Sequence, residues 1–351
     1  MKVITLLSAL LLGQASFAFT IEKIGSDISH PWGIAVLNDE EVLVTARAGA
    51  LLRINLTTGQ QRAVLPTPFV ASFRQGGLLD VAYDEQSNRV HLCYSKPLEG
   101  GAGLAIASAK LDGYQLLTPK DFFVSNHRSP SGAHFGCRIV IEGNYLFASL
   151  GDRGDRSNAQ NPSNHAGSII RLNLVEPEPA NTQQYWLREI YSMGHRNPQG
   201  LALQPNTGLL WSHEHGPRGG DEINLIEQNN NYGWPTVSYG KEYIGGDIGL
   251  NSSPDGYTDP LWVWDPSIAP SGMTFYTGEM FPEWQGNLLV GALKFTSIYR
   301  IVIDPDSNLP VSEERLFNGE MGRVRDVEQA NDGSILVLSD APNGGLYRIS
   351  R

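Results

Sequence analysis

Residues 272–301 contain three short apolar runs, Gly272-Met-Thr-Phe275, Asn287-Leu-Leu-Val290 and Ser297-Ile-Tyr-Arg-Ile301. Turn-forming residues separate the runs, and each run is too short for a helix that buries one face. This pattern is typical of consecutive β-strands joined by turns. The same unit recurs outward along the chain in both directions.

Six similar units of about 45 to 70 residues cover the chain from residue 19 onward. Their first strands are predicted at Gly33–Val36, Gly77–Val81, Arg138–Ile141, Gly200–Leu203, Gly272–Phe275 and Val324–Val327. No long helical periodicity interrupts the units, so we expect an all-β fold. Radial closure of repeated sheets leaves few exposed strand edges, which favours a six-bladed β-propeller with four-stranded antiparallel blades. A pair of β-sandwiches is the alternative, which the similarity of the repeats makes weaker.

The ends of the chain define the predicted domain. Phe19 to Lys23 is expected to supply the outer strand that closes the last blade, so residues 19–351 form one propeller domain. Residues 1–18 resemble a secretory signal peptide, with Lys2, an apolar run from Val3 to Leu12 and a small-x-small site ending at Ala18. A buried N-terminal strand is the alternative. The signal predicts a periplasmic or secreted protein.

Composition narrows the classes of function. The chain has 351 residues with 26 Lys and Arg against 37 Asp and Glu, a net charge of −11, and 41% apolar residues. An acidic protein of this kind is not expected to bind nucleic acid, because neutralising phosphates requires a surplus of cations. No membrane span is predicted after the signal, since no later run reaches 18 apolar residues. The two cysteines, Cys93 and Cys137, lie in neighbouring repeats and are predicted either to pair or to stay as buried thiols.

Unusual polar residues collect just before the first strand of each unit, in loops that a propeller would place around one axial cavity. Five arginines belong to these loops, and Lys294 lies near them; the arginines are Arg74, Arg138, Arg196, Arg323 and Arg325. A cationic cavity in an acidic protein suggests a small polyanionic ligand, because guanidinium groups bind carboxylates and phosphates in bidentate fashion. The alternative is that single arginines pair with structural carboxylates such as Asp80 and Asp326.

The loop Glu214-His-Gly-Pro-Arg-Gly-Gly-Asp-Glu222, followed by Asn229-Asn-Asn-Tyr-Gly-Trp-Pro235, is rich in carboxylates, amides and glycine-freed carbonyls. Calcium prefers hard oxygen ligands of these kinds, although the spacing is not that of an EF-hand. An ordinary hydrogen-bonded turn is the alternative reading of this loop.

His134 is the best candidate for a general base, since it lies between Ala133 and Phe135 in a cavity-facing loop. Desolvation there favours the neutral imidazole that accepts a proton near pH 7. A structural histidine is the alternative. The sequence has no Gly-x-Ser-x-Gly elbow, P-loop or His-Glu-x-x-His motif, and Gly151-Asp-Arg-Gly154 lacks the strand–helix context of a dinucleotide fingerprint.

The motifs together resemble those of the soluble PQQ-dependent sugar dehydrogenases, most closely the aldose sugar dehydrogenase branch. They are His30-Pro-Trp-Gly33, Arg74-Gln-Gly-Gly-Leu78, His134-Phe-Gly-Cys-Arg-Ile139, Gly194-His-Arg-Asn-Pro-Gln-Gly200, Glu214-His-Gly-Pro217, Gly220-Asp-Glu-Ile-Asn224, Tyr232-Gly-Trp-Pro235 and Gly322-Arg-Val-Arg-Asp-Val327. The family fold is a six-bladed propeller, in agreement with the repeats.

The resemblance implies a role for each matching residue. His134 would take the anomeric hydroxyl proton while hydride leaves C1 of the sugar for C5 of the quinone. The tricarboxylate PQQ would be held by Gln75, Arg196, Asn197, Ser267, Lys294, Arg323 and Arg325. The carbonyls of Gly216 and Pro217 would bind a calcium ion that polarises the quinone, and Glu222 and Tyr232 would bind a second, structural calcium.

One departure concerns the substrate. Ala133 stands where the glucose-specialised branch has an acidic residue, so a wider or different aldose range is expected; Gln75 and Tyr243 are the predicted sugar contacts. The expected product is a lactone, the electron acceptor is a soluble or quinone compound, and the protein is a monomer or dimer. A non-catalytic extracellular binding propeller and a calcium-dependent lactonase are the alternative functions.

Overall fold

The computed structural model describes residues 19–175 and 185–351. Within these ranges the strands are β1 (Thr20–Ile28), β2 (Pro31–Val36), β3 (Glu41–Ala46), β4 (Ala50–Asn55), β5 (Gln61–Ala63), β6 (Leu78–Asp84), β7 (Arg89–Leu98), β8 (Gly101–Asp112), β9 (Gln115–Ser129), β10 (Ile139–Glu142), β11 (Tyr145–Leu150), β12 (Ser168–Asn173), β13 (Ile190–Met193), β14 (Pro198–Leu203), β15 (Leu210–Glu214), β16 (Asp221–Ile226), β17 (Trp262–Trp264), β18 (Pro270–Phe275), β19 (Leu288–Ala292), β20 (Ser297–Ile303), β21 (Pro310–Leu316), β22 (Val324–Gln329), β23 (Ile335–Ser339) and β24 (Gly344–Ser350). Two short 3-10 helices span Arg156–Gln160 and Pro282–Trp284.

The strands form six four-stranded sheets, each in simple up-and-down order. Blades 1 to 5 are β2–β5, β6–β9, β10–β13, β14–β17 and β18–β21, and blade 6 is β22, β23, β24 and β1. The first strands of the blades contact one another in a closed ring, β2 to β6, β10, β14, β18, β22 and back to β2. The prediction of a six-bladed antiparallel propeller is confirmed.

The N-terminal strand closes the ring. β1 runs antiparallel to β24, with Ile21 opposite Ile349 and Lys23 opposite Tyr347. Because the first strand of the domain completes the sheet that the last three strands begin, the two ends of the domain are held together by a ladder of backbone hydrogen bonds. The prediction that the N-terminal segment closes the last blade is therefore confirmed, although the strand spans Thr20–Ile28 rather than Phe19–Lys23.

The hydrophobic core lies between neighbouring blades. One cluster joins blades 2 and 3 through Leu79, Ile106, Phe135 and Ile139, all of them buried. Buried and exposed residues alternate less along the middle strands than they would in a sheet with one exposed face, because both faces of these strands pack against another blade. All five residues of β19, for example, are buried. Each fully buried large apolar side chain contributes about 1.5–3 kcal/mol.

A disulfide links blades 2 and 3. Cys93 of β7 is bonded to Cys137, which precedes β10, and the two Cα atoms are 6.4 Å apart. Both residues are fully buried in the core cluster between these blades. Of the two alternatives that the sequence leaves open, the structure has the disulfide.

The side chain of Arg138 is buried between the inner strands and contacts four other blades. Its Nη1 is 2.9 Å from Asp80 and 3.0 Å from Asp326, carboxylates of blades 2 and 6. Its Nε donates to the Gln199 carbonyl of blade 4, and its guanidinium stacks 4.4 Å from the Trp32 ring of blade 1. Of the two alternatives that the sequence leaves open for Arg138, the structure has the pairing with Asp80 and Asp326, because a buried charge needs a counter-charge.

Residues 1–18, where the signal peptide is predicted, lie outside the described residues. Among the residues that the structure describes, no helix is long and apolar enough to cross a membrane.

Candidate active site

Six equivalent loops converge on one end of the propeller axis. Each loop enters its inner strand through a residue with left-handed backbone, and these residues are His30, Arg74, His134, Gly194, Ala269 and Gly322. The first three share a φ of 49°. This conformation is costly for a residue with a Cβ atom, so its repetition marks a backbone turn that the blade geometry imposes. We call the space enclosed by these loops the mouth.

His134 is oriented by a carboxylate that the sequence analysis did not assign. Its Nδ1 lies 2.6 Å from Oδ1 of Asp152, in the loop after β11. Asp152 also accepts hydrogen bonds from the Gly154 amide (2.7 Å) and the Trp234 indole (2.9 Å). Burial raises the pKa of Asp152, but His134, followed by the Gly154 and Trp234 donors, outweighs burial and holds its pKa below the usual value. The ionised Asp152 therefore accepts a hydrogen bond from the Nδ1–H group of His134.

This arrangement leaves the other ring nitrogen available. The His134 side chain is 16% exposed, and its Nε2 makes no hydrogen bond to a described residue. A neutral imidazole with Nδ1–H on a carboxylate presents a lone pair at Nε2 and gains a stabilised cation when it accepts a proton. His134 can therefore act as a general base toward the mouth.

The loop that carries His134 is fastened on two sides. Its backbone amide donates to Oε1 of Gln75 at 2.6 Å, which brings the predicted substrate contact beside the predicted base. Arg153 donates to the carbonyls of Ser131 (2.7 Å) and Ala133, and its guanidinium lies 3.3 Å from the centre of the Phe135 ring. Asp152 and Arg153 both belong to the segment Gly151-Asp-Arg-Gly154. The sequence could have indicated them, because they are polar residues that directly follow the buried second strand of a blade.

Arg196 and Asn197 lie at the start of β14. The Arg196 guanidinium donates to the carbonyls of His215 (2.9 Å) and Gly216 (3.0 Å), and it stacks over Trp234 at 5.4 Å. Asn197 accepts a hydrogen bond from the Gly136 amide at 3.3 Å, which ties blade 4 to the loop after His134. The structure thus places both residues next to the predicted base.

A second set of predicted ligand-binding residues gathers on blades 5 and 6. The Lys294 amide donates to the Ile268 carbonyl beside Ser267 (3.1 Å), and Arg323 donates to the Leu293 carbonyl (3.2 Å). Lys294 and Arg323 are exposed, and the buried Oγ of Ser267 has no hydrogen-bond partner among the described residues. Two cations and one unused hydroxyl therefore face the same side of the axis.

Arg325 is more enclosed than these cations. It is 8% exposed, its Nη2 is 2.8 Å from Asp340, and its guanidinium stacks 5.7 Å from the Trp32 ring. The second oxygen of Asp340 lies 2.8 Å from Nδ1 of His30. Arg325 is thus connected to the mouth through Asp340 and His30. The sequence analysis assigned no role to His30.

The loop predicted to bind calcium holds a half-buried carboxyl group, Glu222, that has no cationic partner among the described residues. Burial, followed by the negative charge of Glu214, raises the pKa of Glu222 well above its usual value. The Glu222 carboxylate accepts one hydrogen bond, from Asn224 at 3.1 Å, and the buried Oδ1 of Asn224 has no partner among the described residues. Unsatisfied hard oxygens of this kind fit a cation. The described residues contain no group of three or more His, Cys, Asp or Glu side chains that could hold a metal ion.

The other predicted calcium ligands lie close by in the chain. The Gly216 carbonyl accepts from Arg196, and the Gly216 amide donates to Asp221 at 2.9 Å, with Pro217 next in the turn. The Tyr232 hydroxyl bonds to the Leu225 carbonyl and accepts from the Glu227 amide (3.0 Å), so its side chain holds the turn after β16. A calcium contact from Tyr232 would have to come from its backbone carbonyl.

Tyr243 lies on the outer part of this end, in the long loop between β16 and β17, and is 69% exposed. Its neighbour Glu242 forms two hydrogen bonds with Arg156, and Arg156 stacks 5.5 Å from Trp234. Trp234 in turn donates to Asp152, the partner of His134. The segment that carries Tyr243 is therefore connected to the His134 side of the mouth through Glu242, Arg156 and Trp234.

The fold and the mouth define a β-propeller with a cationic axial site and a carboxylate-oriented imidazole. Residues 28–348 match the model of the glucose/sorbosone dehydrogenase family, and the chain belongs to that family.

Relatives of known name extend over nearly the whole chain. The chain is 36% identical to the aldose sugar dehydrogenase YliI of Escherichia coli, over 97% of this chain and 95% of the relative. It is 26% identical to the quinoprotein glucose dehydrogenase B of Acinetobacter calcoaceticus, over 92% and 85% of the two chains. The apo-form crystal structure of the E. coli soluble aldose sugar dehydrogenase superimposes with a TM-score of 0.89 at 34% identity, covering 95% of this chain and 99% of that chain.

Proposed function

We propose that this protein is a PQQ- and calcium-dependent aldose dehydrogenase that oxidises sugars at C1 to lactones. Membership of the glucose/sorbosone dehydrogenase family supports a PQQ-type sugar oxidoreductase in general. The single observation that carries the finer proposal is the His134–Asp152 pair at 2.6 Å, which leaves Nε2 of the partly exposed His134 without a hydrogen bond to a described residue.

The residues of the mouth fit a tricarboxylate quinone. Lys294, Arg323 and the unpartnered Ser267 hydroxyl would hold its carboxylates from blades 5 and 6, and Arg196 and Asn197 would hold it from blade 4. Arg325, which is more deeply buried, would attract the cofactor carboxylates through its positive charge. When bound, PQQ supplies an orthoquinone that takes up the hydride lost by the sugar.

His134 performs the proton transfer in this proposal. Its Nε2 accepts the proton of the C1 hydroxyl as the C1–H bond breaks, and Asp152 stabilises the imidazolium that forms. Gln75, which accepts a hydrogen bond from the His134 amide, is positioned to orient the sugar beside the base. Ala133 contributes no charge to this contact, which agrees with a wider aldose range.

Calcium has two proposed positions. The carbonyls of Gly216 and Pro217 would bind the ion that polarises the quinone, which requires Arg196 to release the Gly216 carbonyl. Glu222, with the carbonyl of Tyr232 and the unpartnered Asn224 oxygen, would bind a structural ion; its half-buried, uncompensated carboxylate supports this position.

The test is titration of purified apoprotein with PQQ in the presence and absence of calcium, followed by absorbance. Aldoses are then added with a soluble dye acceptor. Aldose-driven reduction of the bound quinone, with lactone as product, is the expected result. Saturable PQQ binding without turnover would favour a non-catalytic propeller, and hydrolysis of lactones by protein lacking PQQ would favour a lactonase; either result would overturn the proposal.

A further inference from the structure

Three imidazoles in the loops around the mouth place Nδ1 on a carboxylate. The pairs are His134 with Asp152 (2.6 Å), His195 with Glu214 (2.8 Å) and His30 with Asp340 (2.8 Å). The His195 ring is fully buried, and its Nε2 lies 2.9 Å from the Ser192 hydroxyl, so both of its nitrogens are used within the protein. His195 is therefore structural.

His30 resembles His134 instead. Both have a φ of 49° at the entrance to an inner strand, and the His30 side chain is 33% exposed, against 16% for His134. Neither Nε2 makes a hydrogen bond to a described residue. The mouth thus has two partly exposed imidazoles whose Nε2 makes no hydrogen bond to a described residue, and the proposed reaction uses only one.

The partner of His30 fixes which nitrogen carries the proton. Burial raises the pKa of Asp340, but Arg325, His30 and the charge of Arg47 outweigh burial and lower its pKa to about 2. An ionised carboxylate only accepts hydrogen bonds. Nδ1–H of His30 therefore donates to Asp340, which leaves Nε2 for a ligand.

His30 is also the exposed end of the network that contains Arg325. The Arg325 guanidinium donates to Gln199 and Asp340, and its Nε is buried without a partner among the described residues. Asp340 thus binds Arg325 with one carboxylate oxygen and His30 with the other. A ligand entering from the mouth meets the imidazole on the accessible side of this network.

We propose that His30 is a further ligand-binding residue of the mouth, whose Nε2–H donates to a carboxylate of the bound cofactor while Asp340 holds Nδ1. The inference rests on the proposed function, because it takes PQQ as the ligand. Charge-assisted hydrogen bonds of this kind are about twice as strong as neutral ones.

The assignment has a direct consequence for pH. The charged groups that face His30 are Asp340 and Arg325 from blade 6 and Arg47, whose amide donates to the His30 carbonyl at 3.0 Å. Asp340 keeps its charge over the pH range of the test, because its pKa is about 2. A ligand carboxylate at Nε2 favours the imidazolium, so binding takes up a proton, and affinity falls as the pH rises.

The experiment measures the dissociation constant of PQQ for the apoprotein by calorimetry at pH 6 and pH 8, without turnover. We expect His30→Gln to weaken binding about tenfold at pH 6 and little at pH 8, the size of one charge-assisted hydrogen bond. His30→Lys, which stays charged, should bind equally well at both pH values. Arg62→Gln, an exposed substitution on the outer strand β5 of the same blade, is the control for charge and should match the wild type.

The outcomes separate the two proposals. Wild-type protein that binds PQQ while His30→Gln keeps the same affinity and pH dependence would overturn the role of His30 alone. So would a raised KM for the sugar with unchanged PQQ affinity. Wild-type protein that binds no PQQ would instead overturn the proposed function. If His30→Gln fails to fold, as judged by its melting curve, the pH dependence of His30→Lys decides.

Discussion

The carboxylate of Asp152 lies 2.6 Å from Nδ1 of His134 and receives two further hydrogen bonds, from Gly154 and Trp234. These donors hold the carboxylate in one orientation, so the plane of the His134 ring is set by the loop after β11 and by the Trp234 indole. The base is thus positioned by residues that lie outside its own loop.

Asp152→Asn should lower kcat of the PQQ-loaded enzyme by about two orders of magnitude or more with little change in PQQ affinity. The amide can donate to Nδ1, which favours the tautomer with its proton on Nε2 and removes the lone pair that accepts the substrate proton. His134→Gln should lower kcat by about 10²–10⁴. Steady-state kinetics with an aldose and a dye acceptor measures both effects.

The two variants have different pH profiles if Asp152 acts through His134. Asp152→Asn should shift the acidic limb of kcat/KM, because the imidazolium loses its counter-charge, whereas His134→Gln should abolish that limb. An Asp152→Asn enzyme with normal kcat and an unshifted profile would rule out the positioning role.

Arg138→Met should destabilise the protein by about 3–5 kcal/mol, because it leaves Asp80 and Asp326 buried without their cation. Urea unfolding monitored by tryptophan fluorescence measures the change. Arg300→Gln is the control: it breaks a pair with Glu314, whose side chain is 52% exposed, and should cost less than about 1 kcal/mol.

The triple variant Arg138→Met, Asp80→Asn, Asp326→Asn tests the reason for the loss. Without the buried charges, much of the lost stability should return. A triple variant as unstable as Arg138→Met alone would show that Arg138 acts through packing on Trp32 rather than through its charge.

The fold could be predicted from the sequence because a propeller repeats one local pattern. The strand–turn–strand pattern of residues 272–301 recurs in each blade, and register within a blade follows from short turns. The N-terminal closing strand could be predicted for the same reason, since blade 6 otherwise lacks its fourth strand. Repetition makes each local choice agree with the global fold.

The site could be predicted only in part, because successive side chains in a strand point in opposite directions. Arg138 and Arg325 precede or begin inner strands in the same way, yet Arg138 is buried between the inner strands and pairs with carboxylates of two other blades. Asp152 and Asp340 orient the two exposed imidazoles from loops that follow second strands. Such pairings depend on how the blades are arranged around the axis, and a local sequence pattern contains no information on that arrangement.

Glu328→Gln should make the protein more stable at pH 8 than the wild type, with little difference at pH 4.5. Burial raises the pKa of Glu328 to about 7, so the folded state binds a proton that the unfolded state has already released between about pH 4.5 and 7. Folding stability of the wild type therefore falls as the pH rises through this window. A shift of this size corresponds to at most about 3.5 kcal/mol.

The measurement is the difference in unfolding free energy between the two proteins at several pH values, which cancels the contributions of other groups. Glutamine keeps the oxygen that accepts from Thr274 at 3.1 Å. Glu40→Gln, at an exposed turn, should show no such pH dependence. A difference between wild type and Glu328→Gln that stays constant from pH 4.5 to 8 would contradict the assignment.

Loss of the disulfide should affect both stability and the base. Cys93 and Cys137 are 44 residues apart in the chain, and closing a loop of this length restricts the unfolded chain by about 4 kcal/mol in the chain-entropy description. Cys137 comes three residues after His134, so the bond also anchors the loop that holds the base against blade 2. We therefore expect the double variant Cys93→Ala, Cys137→Ala to unfold at lower urea concentration and to have a lower kcat. Added reductant should reproduce both changes in the wild type and leave the double variant unaffected. If reductant lowers stability but not kcat, the disulfide supports the packing of blades 2 and 3 without positioning His134.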